Sequence, residues 1–310
     1  MSDADRNEDS PAQLAPGLYL VATPIGNLGD ITLRALDVLR RADRIACEDP
    51  RQTQKLLNHF EIATPTISCH EHNERERAAE LIGAIKAGGR IAVVSDAGMP
   101  GISDPGARLA AEAIAAGVDV IPIPGANAAL SGLVASGLST SEFHFIGFLP
   151  EKAGARRTRL EDLAAEAARS GGARTLVVYE APHRILETLG GLEAVWGAGL
   201  RVVVARELTK IHEEFVRGTV AEVRQELTSR DRVRGEIVLL VEALPRTEGQ
   251  AGSQAASNEK ISARIARIQA EAPADAPLDE NQALKRLARE LGQSKSDLYR
   301  ELQRERARRH

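Results

Sequence analysis

The sequence predicts an α/β chain of two domains followed by a short basic helical segment, and three observations carry that reading. Short β-branched runs alternate with amphipathic stretches from Gly17 to Glu242. In the second half of that span the strands outnumber the helices, which points to a mixed sheet. Residues 245–258, PRTEGQAGSQAASN, then show the Gly, Ser, Gln and Ala bias of a flexible linker. With 310 residues and 43% hydrophobic content, the chain can bury two cores and carry an appendage.

Residues 1–16 are rich in Asp, Glu, Ser and Pro, without a basic start or an apolar run, so they read as a disordered leader and not as a secretory signal. The N-terminal α/β domain is expected over 17–138. Within it GLYLVA, RIACE, RIAVVSD and VDVIPIPG read as strands, and ITLRALDVLRRA, QKLLNHF and ARLAAEAIAAG read as helices. ANAALSGLVASG supplies small residues for a tightly packed helix. The uncharged stretch from Val120 to Ser141 is long enough to raise a membrane span, but Pro122, Pro124, Gly125, Gly132 and Gly137 break it into strand, turn and helix.

The C-terminal α/β domain is expected over 139–244. It starts with EFHFIGFLP, continues through a helix over 152–169, and then alternates ARTLVVYE, ILETLGGLEAVW, LRVVVARELT, HEEFVRGTV and GEIVLLVE. The last segment, 259–310, shows two helical periods around Gly292 with Leu284, Leu287, Leu291, Leu298 and Leu302 on one seam, a helix-turn-helix spacing. From Lys285 to His310 nine Lys or Arg face four Asp or Glu, so this segment is basic although the whole chain has a net charge of −4. Nucleic acid is its natural partner; a solvated hairpin that packs on the body or pairs subunits is the plainer alternative. The global charge excludes a broad cationic field, and two solitary cysteines, Cys47 and Cys69, exclude a disulfide framework and suit a reducing cytoplasm.

Three loops concentrate the chemistry, each following a strand where an α/β sheet presents its ligand site: TPIGNLGD, SDAGMPGISDPG and PGANAAL. Pro24 stiffens the first, Asp30 or Thr32 is placed to cap the next helix, and Asp96 stands at the strand end before a loop nearly without side chains. None matches the GxGxxG dinucleotide pattern, and the lysine of a phosphate loop is missing, which disfavours ATP and GTP. Singly, each cluster reads equally well as turn punctuation.

Taken in order, LVATPIGNLGDITLRAL, EDPRQTQKLL, SDAGMPGISDPG, PIPGANAALSGLVASGL, FHFIGFLP, YEAPHRILETL, ARELTKIHEEFVRGT and RGEIVLLVE resemble the ribosomal RNA small subunit methyltransferase I family from Gly17 to Glu242. The resemblance implies a tetrapyrrole-methylase-like, class III methyltransferase fold with a C-terminal helix-turn-helix segment, usually as a homodimer. It also implies methyl transfer from S-adenosylmethionine, bound between the two domains, to the ribose 2′-hydroxyl of cytidine 1402 at the decoding centre of 16S RNA. The implied donor contacts are Pro24, Asp96, Met99, Gly101, Ile102, Ala126, Asn127, Tyr179, Glu180, Arg234, Gly235 and Glu236.

For that reaction a base would help, since a ribose hydroxyl is a poor nucleophile while protonated. Glu48 and Asp49 in CEDPRQT and Glu71 in CHEHNE are the candidates, both runs following strands. Acidic residues at a helix start explain Glu48 and Asp49 equally well. His70 and His72 lack further ligands at metal spacing, so no metal is assigned, and Glu74 and Glu76 read as solvent-facing behind an Asn73 cap. Arg51, Lys152, Arg156, Arg157, Lys285, Arg286 and Lys295 are the candidate RNA phosphate ligands on a small-subunit RNA or 30S partner, with solvated helix arginines as the alternative. An aromatic content of 3% argues against stacking as the main recognition mode. Two other readings stay open: a small-molecule methylase for a tetrapyrrole, which the fold would permit, and a ligand-sensing helix-turn-helix regulator.

Overall fold

The computed structural model describes residues 14–70, 73–170, 172–243, 261–270, 278–291, 298–299 and 302–303. Glu71, His72, Gly292, Lys295, the linker and nearly all of the leader lie outside the described residues. Two five-stranded sheets, both within the compact unit Met1–Pro245, bear out the α/β class.

The first sheet comprises β1 (Gly17–Val21), β2 (Arg44–Cys47), β3 (Thr66–Ser68), β4 (Arg90–Val94) and β5 (Val120–Ile123) in the order β3-β2-β4-β1-β5, all parallel. Parallel strands are buried on both faces, and the sequence supplies that directly. Leu18 and Ile91 point into one core, while Tyr19, Val21 and Ala92 point into the other. Helices α1 (Leu33–Arg41), α2 (Pro50–His59), α3 (Glu74–Lys86) and α4 (Ala107–Ala115) make the crossovers. Thr32 is the residue that caps α1, its hydroxyl accepting from Ala35 N at 3.1 Å.

The second sheet comprises β6 (Phe143–Phe148), β7 (Arg174–Glu180), β8 (Arg201–Arg206), β9 (Glu214–Thr219) and β10 (Ile237–Ala243), in the order β6-β7-β10-β8-β9. Only the β6–β7 pair is parallel, so the sheet is mixed as expected. Its outer face packs on α6 (Ala153–Ser170), α7 (Ile185–Trp196) and α8 (Val220–Thr228), with Leu176, Val178, Val204, Leu239 and Val241 inside that core.

The inner face of the second sheet is covered from the first half of the chain. Helix α5 (Ala128–Ser136) brings Ala129 and Leu133, and the first loop brings Ile25, onto Val177, Val203, Ala205, Val238 and Leu240. The small residues of α5 permit this approach: a Cβ at Gly132 would lie 3.3 Å from Val238 Cγ1. Arg217 of β9 completes the joint by donating to the carbonyls of Ser136 (3.1 Å) and Ala135 (2.7 Å), a cation at the C-terminus of α5.

In the unit Arg246–His310, helices Ile261–Ala270 and Glu280–Leu291 bury Ile265, Ile268, Leu284 and Leu287 with Leu298 and Leu302. The first of these helices was not singled out by the leucine seam. Among the described residues, no helix is long and apolar enough to cross a membrane.

Candidate active site

In the order β3-β2-β4-β1-β5, successive strands are added toward one edge from β1 to β3 and toward the other from β4 to β5, so the strand order reverses between the neighbours β4 and β1, and ligands of open α/β sheets bind beyond the strand ends at such a point. The loops after β1 and β4 are tied together there. Thr23 N donates to Gly98 O at 2.9 Å, and Gly98 N donates back to Thr23 O at 3.1 Å. The Thr23 hydroxyl adds a bond to Ser95 O at 3.2 Å. Gly101 N closes the rest of the second loop on Pro105 O at 3.0 Å.

A cavity of about 360 Å³ opens between these loops and the second sheet. Ile25, Met99, Ile102, Leu208 and Val238 make it largely apolar, while Asp104, Asn127 and Glu236 add polar points. Tyr179 forms one wall, held edge-on between Phe145 (centroids 5.1 Å apart) and Phe148 (5.6 Å). A register shift in β6 between Phe145 and Gly147 sets both phenylalanines on that ring. A second cavity of about 470 Å³ adjoins it, lined by Thr23, Pro24, Gln52, Thr53, Lys55, Ser95, Asp96 and Lys210; Ile25, Ala97 and Glu236 belong to both.

Of the expected ligand residues, Met99, Ile102, Asn127, Tyr179, Glu180, Gly235 and Glu236 line the first cavity. Pro24 and Asp96 line the second. Gly101, Ala126 and Arg234 line neither cavity; Gly101 shapes the loop, Ala126 packs on the inner core, and the Arg234 carbonyl accepts from Arg206 at 3.2 Å. Two side chains on this roll do structural work. Asn127 caps α5 by accepting from Leu130 N at 3.0 Å. The Glu180 carboxylate is fully buried among Arg184 (2.6 Å), the Thr188 hydroxyl (2.5 Å) and Ala181 N (2.8 Å).

Asp49 takes the helix-start role that the sequence left open, and three other expectations are corrected. Asp49 is the N-cap of α2, accepting from Arg51 N at 2.9 Å, and the Arg51 guanidinium hydrogen-bonds the same carboxylate and holds it below the usual carboxylate range. Arg156 is not a phosphate ligand: its side chain is 6% exposed, paired to Glu187 at 2.6 Å and donating to Glu151 O at 2.9 Å. Glu74 is not solvent-facing; it is buried and accepts from Gly106 N and Leu109 N, both at 3.1 Å, capping α4 from outside. Asn73 makes no side-chain cap, and its amide instead bridges His70 N and Ser68 O.

Glu48 stands half-buried near Asp104, a residue the loop motif contained but composition did not single out. Burial pushes the Asp104 carboxyl up to about 6, the charges of Glu48 and Asp96 add to this, and a hydrogen bond with Ser95 opposes it. Of the cationic candidates, Arg51, Lys152 and Arg157 are exposed, Arg51 and Arg157 within ion pairs to Asp49 and Glu161. Lys285 and Arg286 lie on the exposed side of the helix Glu280–Leu291, opposite Leu284 and Leu287.

Residues 17–224 match the Tetrapyrrole (Corrin/Porphyrin) Methylases family. Over 228 residues the chain is 52% identical to ribosomal RNA small subunit methyltransferase I of Halalkalibacterium halodurans, covering 73% of this chain and 75% of that protein. The enzyme of the same name from Synechocystis sp. is 44% identical over 282 residues, 91% of this chain and 95% of its own. The chain belongs to the ribosomal RNA small subunit methyltransferase I family. Its fold has solved counterparts in cobalt precorrin-4 methyltransferase (TM-score 0.51, 17% identity, 72% of this chain and 93% of that one) and in diphthine synthase (TM-score 0.53, 17% identity, 73% and 89%). As a member of the ribosomal RNA small subunit methyltransferase I family, the chain is a methyltransferase, and the two adjoining cavities are its candidate active site.

Proposed function

We propose that this chain methylates the ribose 2′-hydroxyl of cytidine 1402 at the decoding centre of 16S ribosomal RNA, using S-adenosylmethionine. The observation that carries the reading is identity of 44–52% with small-subunit RNA methyltransferases over most of the chain, combined with a nucleoside-sized cavity at the switch point. The first cavity suits the donor on chemical grounds. Its volume of about 360 Å³ falls in the range of small-molecule sites, its apolar walls accept an adenine and a thioether arm, and Asp104 offers an acceptor for a hydroxyl or ammonium group. When bound, the donor supplies an activated methyl on a sulfonium.

The chain's own contribution is alignment and exclusion of water. Tyr179, Met99 and Ile102 would fix the donor from three sides, Gly235 would let backbone approach it, and Asn127 holds the start of α5 at the cavity rim. Lys152, Arg157 and the basic face carrying Lys285 and Arg286 would meet RNA phosphates, with the C-terminal helices serving as a helix-turn-helix-like RNA grip. The same reading takes the 30S subunit as partner, the cytoplasm as location and a homodimer as the working form.

The test is a map of 2′-O-methyl positions on small subunits from a cell lacking this protein. Loss of one decoding-centre methyl is expected, and an unchanged map would refute the reading. A tetrapyrrole substrate gains no support from the fold, since the likeness to the precorrin enzyme reaches only 17% identity.

A further inference from the structure

Among the described residues, Glu236 is the one charged residue that lines both cavities. It starts from the turn before β10 and its side chain is 74% exposed, so it is open to a ligand. Lys210, from the loop between β8 and β9, lines the second cavity and donates to Glu236 at 3.0 Å and to Glu207 at 2.7 Å. Glu207 in turn accepts from Glu236 N at 2.9 Å, so the three residues form a closed set.

That set is built with some cost. Glu207 and Thr209 hold φ of 52° and 64°, a region that disfavours residues with a side chain. The Lys210 stem lies across Gly26, where an added Cβ would come within 2.5 Å of Lys210 Cγ. A lysine of the second half of the chain is therefore laid over the first loop of the first half, with its ammonium at the border of the two cavities. Burial works against the charge of Lys210, but the hydrogen bonds to Glu207 and Glu236 outweigh it and raise its pKa, so the cation is retained.

We propose that the second cavity is the acceptor subsite, receiving the nucleotide whose ribose is methylated, and that Glu236 accepts the proton of its hydroxyl while Lys210 is the positioning residue that aims Glu236. The inference rests on the methyltransferase reading above and deepens it. The walls suit a nucleotide: Gln52, Thr53, Ser95 and Asp96 present hydrogen-bonding groups, and Lys55 adds a cation for a backbone phosphate. As the carbon–oxygen bond forms, the hydroxyl proton passes to Glu236. The carbon–sulfur bond breaks with both electrons to sulfur, and Glu236 then releases its proton to water.

Full-length Glu236→Gln, Lys210→Met and Lys210→Arg decide the matter, assayed with unmethylated small subunits and with calorimetric titration of S-adenosylmethionine. Glu236→Gln is expected to lower kcat by about 100-fold with donor affinity within twofold of the parent, the usual effect of removing a positioned base. Lys210→Met is expected to lower kcat by about tenfold with donor affinity unchanged, and Lys210→Arg to recover most of it by restoring the ion pair. Unchanged kcat in Glu236→Gln, or a tenfold loss of donor affinity with kcat of the saturated enzyme retained, would overturn the proposal. So would Lys210→Arg behaving like Lys210→Met. If the parent protein itself places no methyl on the subunits, the functional reading fails and this inference with it.

Discussion

Glu74 and Asp104 are neighbours of one loop with opposite consequences for the fold. Glu74 supplies to the first turn of α4 the acceptor that its N-cap, Gly106, has no side chain to give. Glu74→Ala should lose about 2–3 kcal/mol in urea unfolding, because two buried N–H groups lose their partner; a loss under 0.5 kcal/mol would count against this capping role. Asp104 behaves in the reverse sense. Its carboxyl rises from 3.8 in the free side chain to about 6 in the fold, so the fold favours the protonated form. The penalty is absent below pH 4, grows as pH rises through 6, and is complete at pH 7.5. Asp104→Asn should therefore be more stable than the parent at pH 7.5 by ~1–2 kcal/mol, a figure discounted for solvent screening, and equal to it at pH 3.5. Unfolding at both pH values checks it; a constant difference would point to packing.

At the scale of elements, the strands were legible because their β-branched runs are buried on both faces: GLYLV and RIAVV needed no tertiary information. The three loops were legible because Gly and Pro cluster after those strands. Tertiary partners were not legible. Nothing near Glu74 in sequence announces that α4 lies against it, and Lys210 gained a role only when its loop was laid over Gly26. Arg156 is a different case, since a signal existed: it lies on the stripe of Leu160, Leu163, Ala164 and Ala167 at helical spacing, the inward face of α6. Reading the basic cluster by composition alone missed that period. The α5 joint yields its own prediction. Gly132→Leu must push against Val238 and Leu240, so it should destabilise the protein by about 1–3 kcal/mol and weaken donor binding as the cavity walls shift. Unchanged thermal stability and donor affinity would show that the joint has slack.

At the scale of the whole molecule, the division of labour is between the α/β unit, which holds both cavities, and the unit Arg246–His310, whose helices carry the basic face. Deleting residues 259–310 should weaken small-subunit binding by tenfold or more at physiological salt and leave donor affinity within twofold, with filter binding and calorimetry as the two measurements. Equal loss in both would make the segment structural. The central claim is tested most directly by incubating the purified chain with unmethylated small subunits and S-adenosylmethionine labelled on its methyl, then hydrolysing the RNA in alkali. A 2′-O-methyl blocks cleavage at its own linkage, so the account predicts that the label is recovered in a single alkali-stable dinucleotide beginning with cytidine. Label in base-methylated mononucleotides, or none in the RNA, would contradict it.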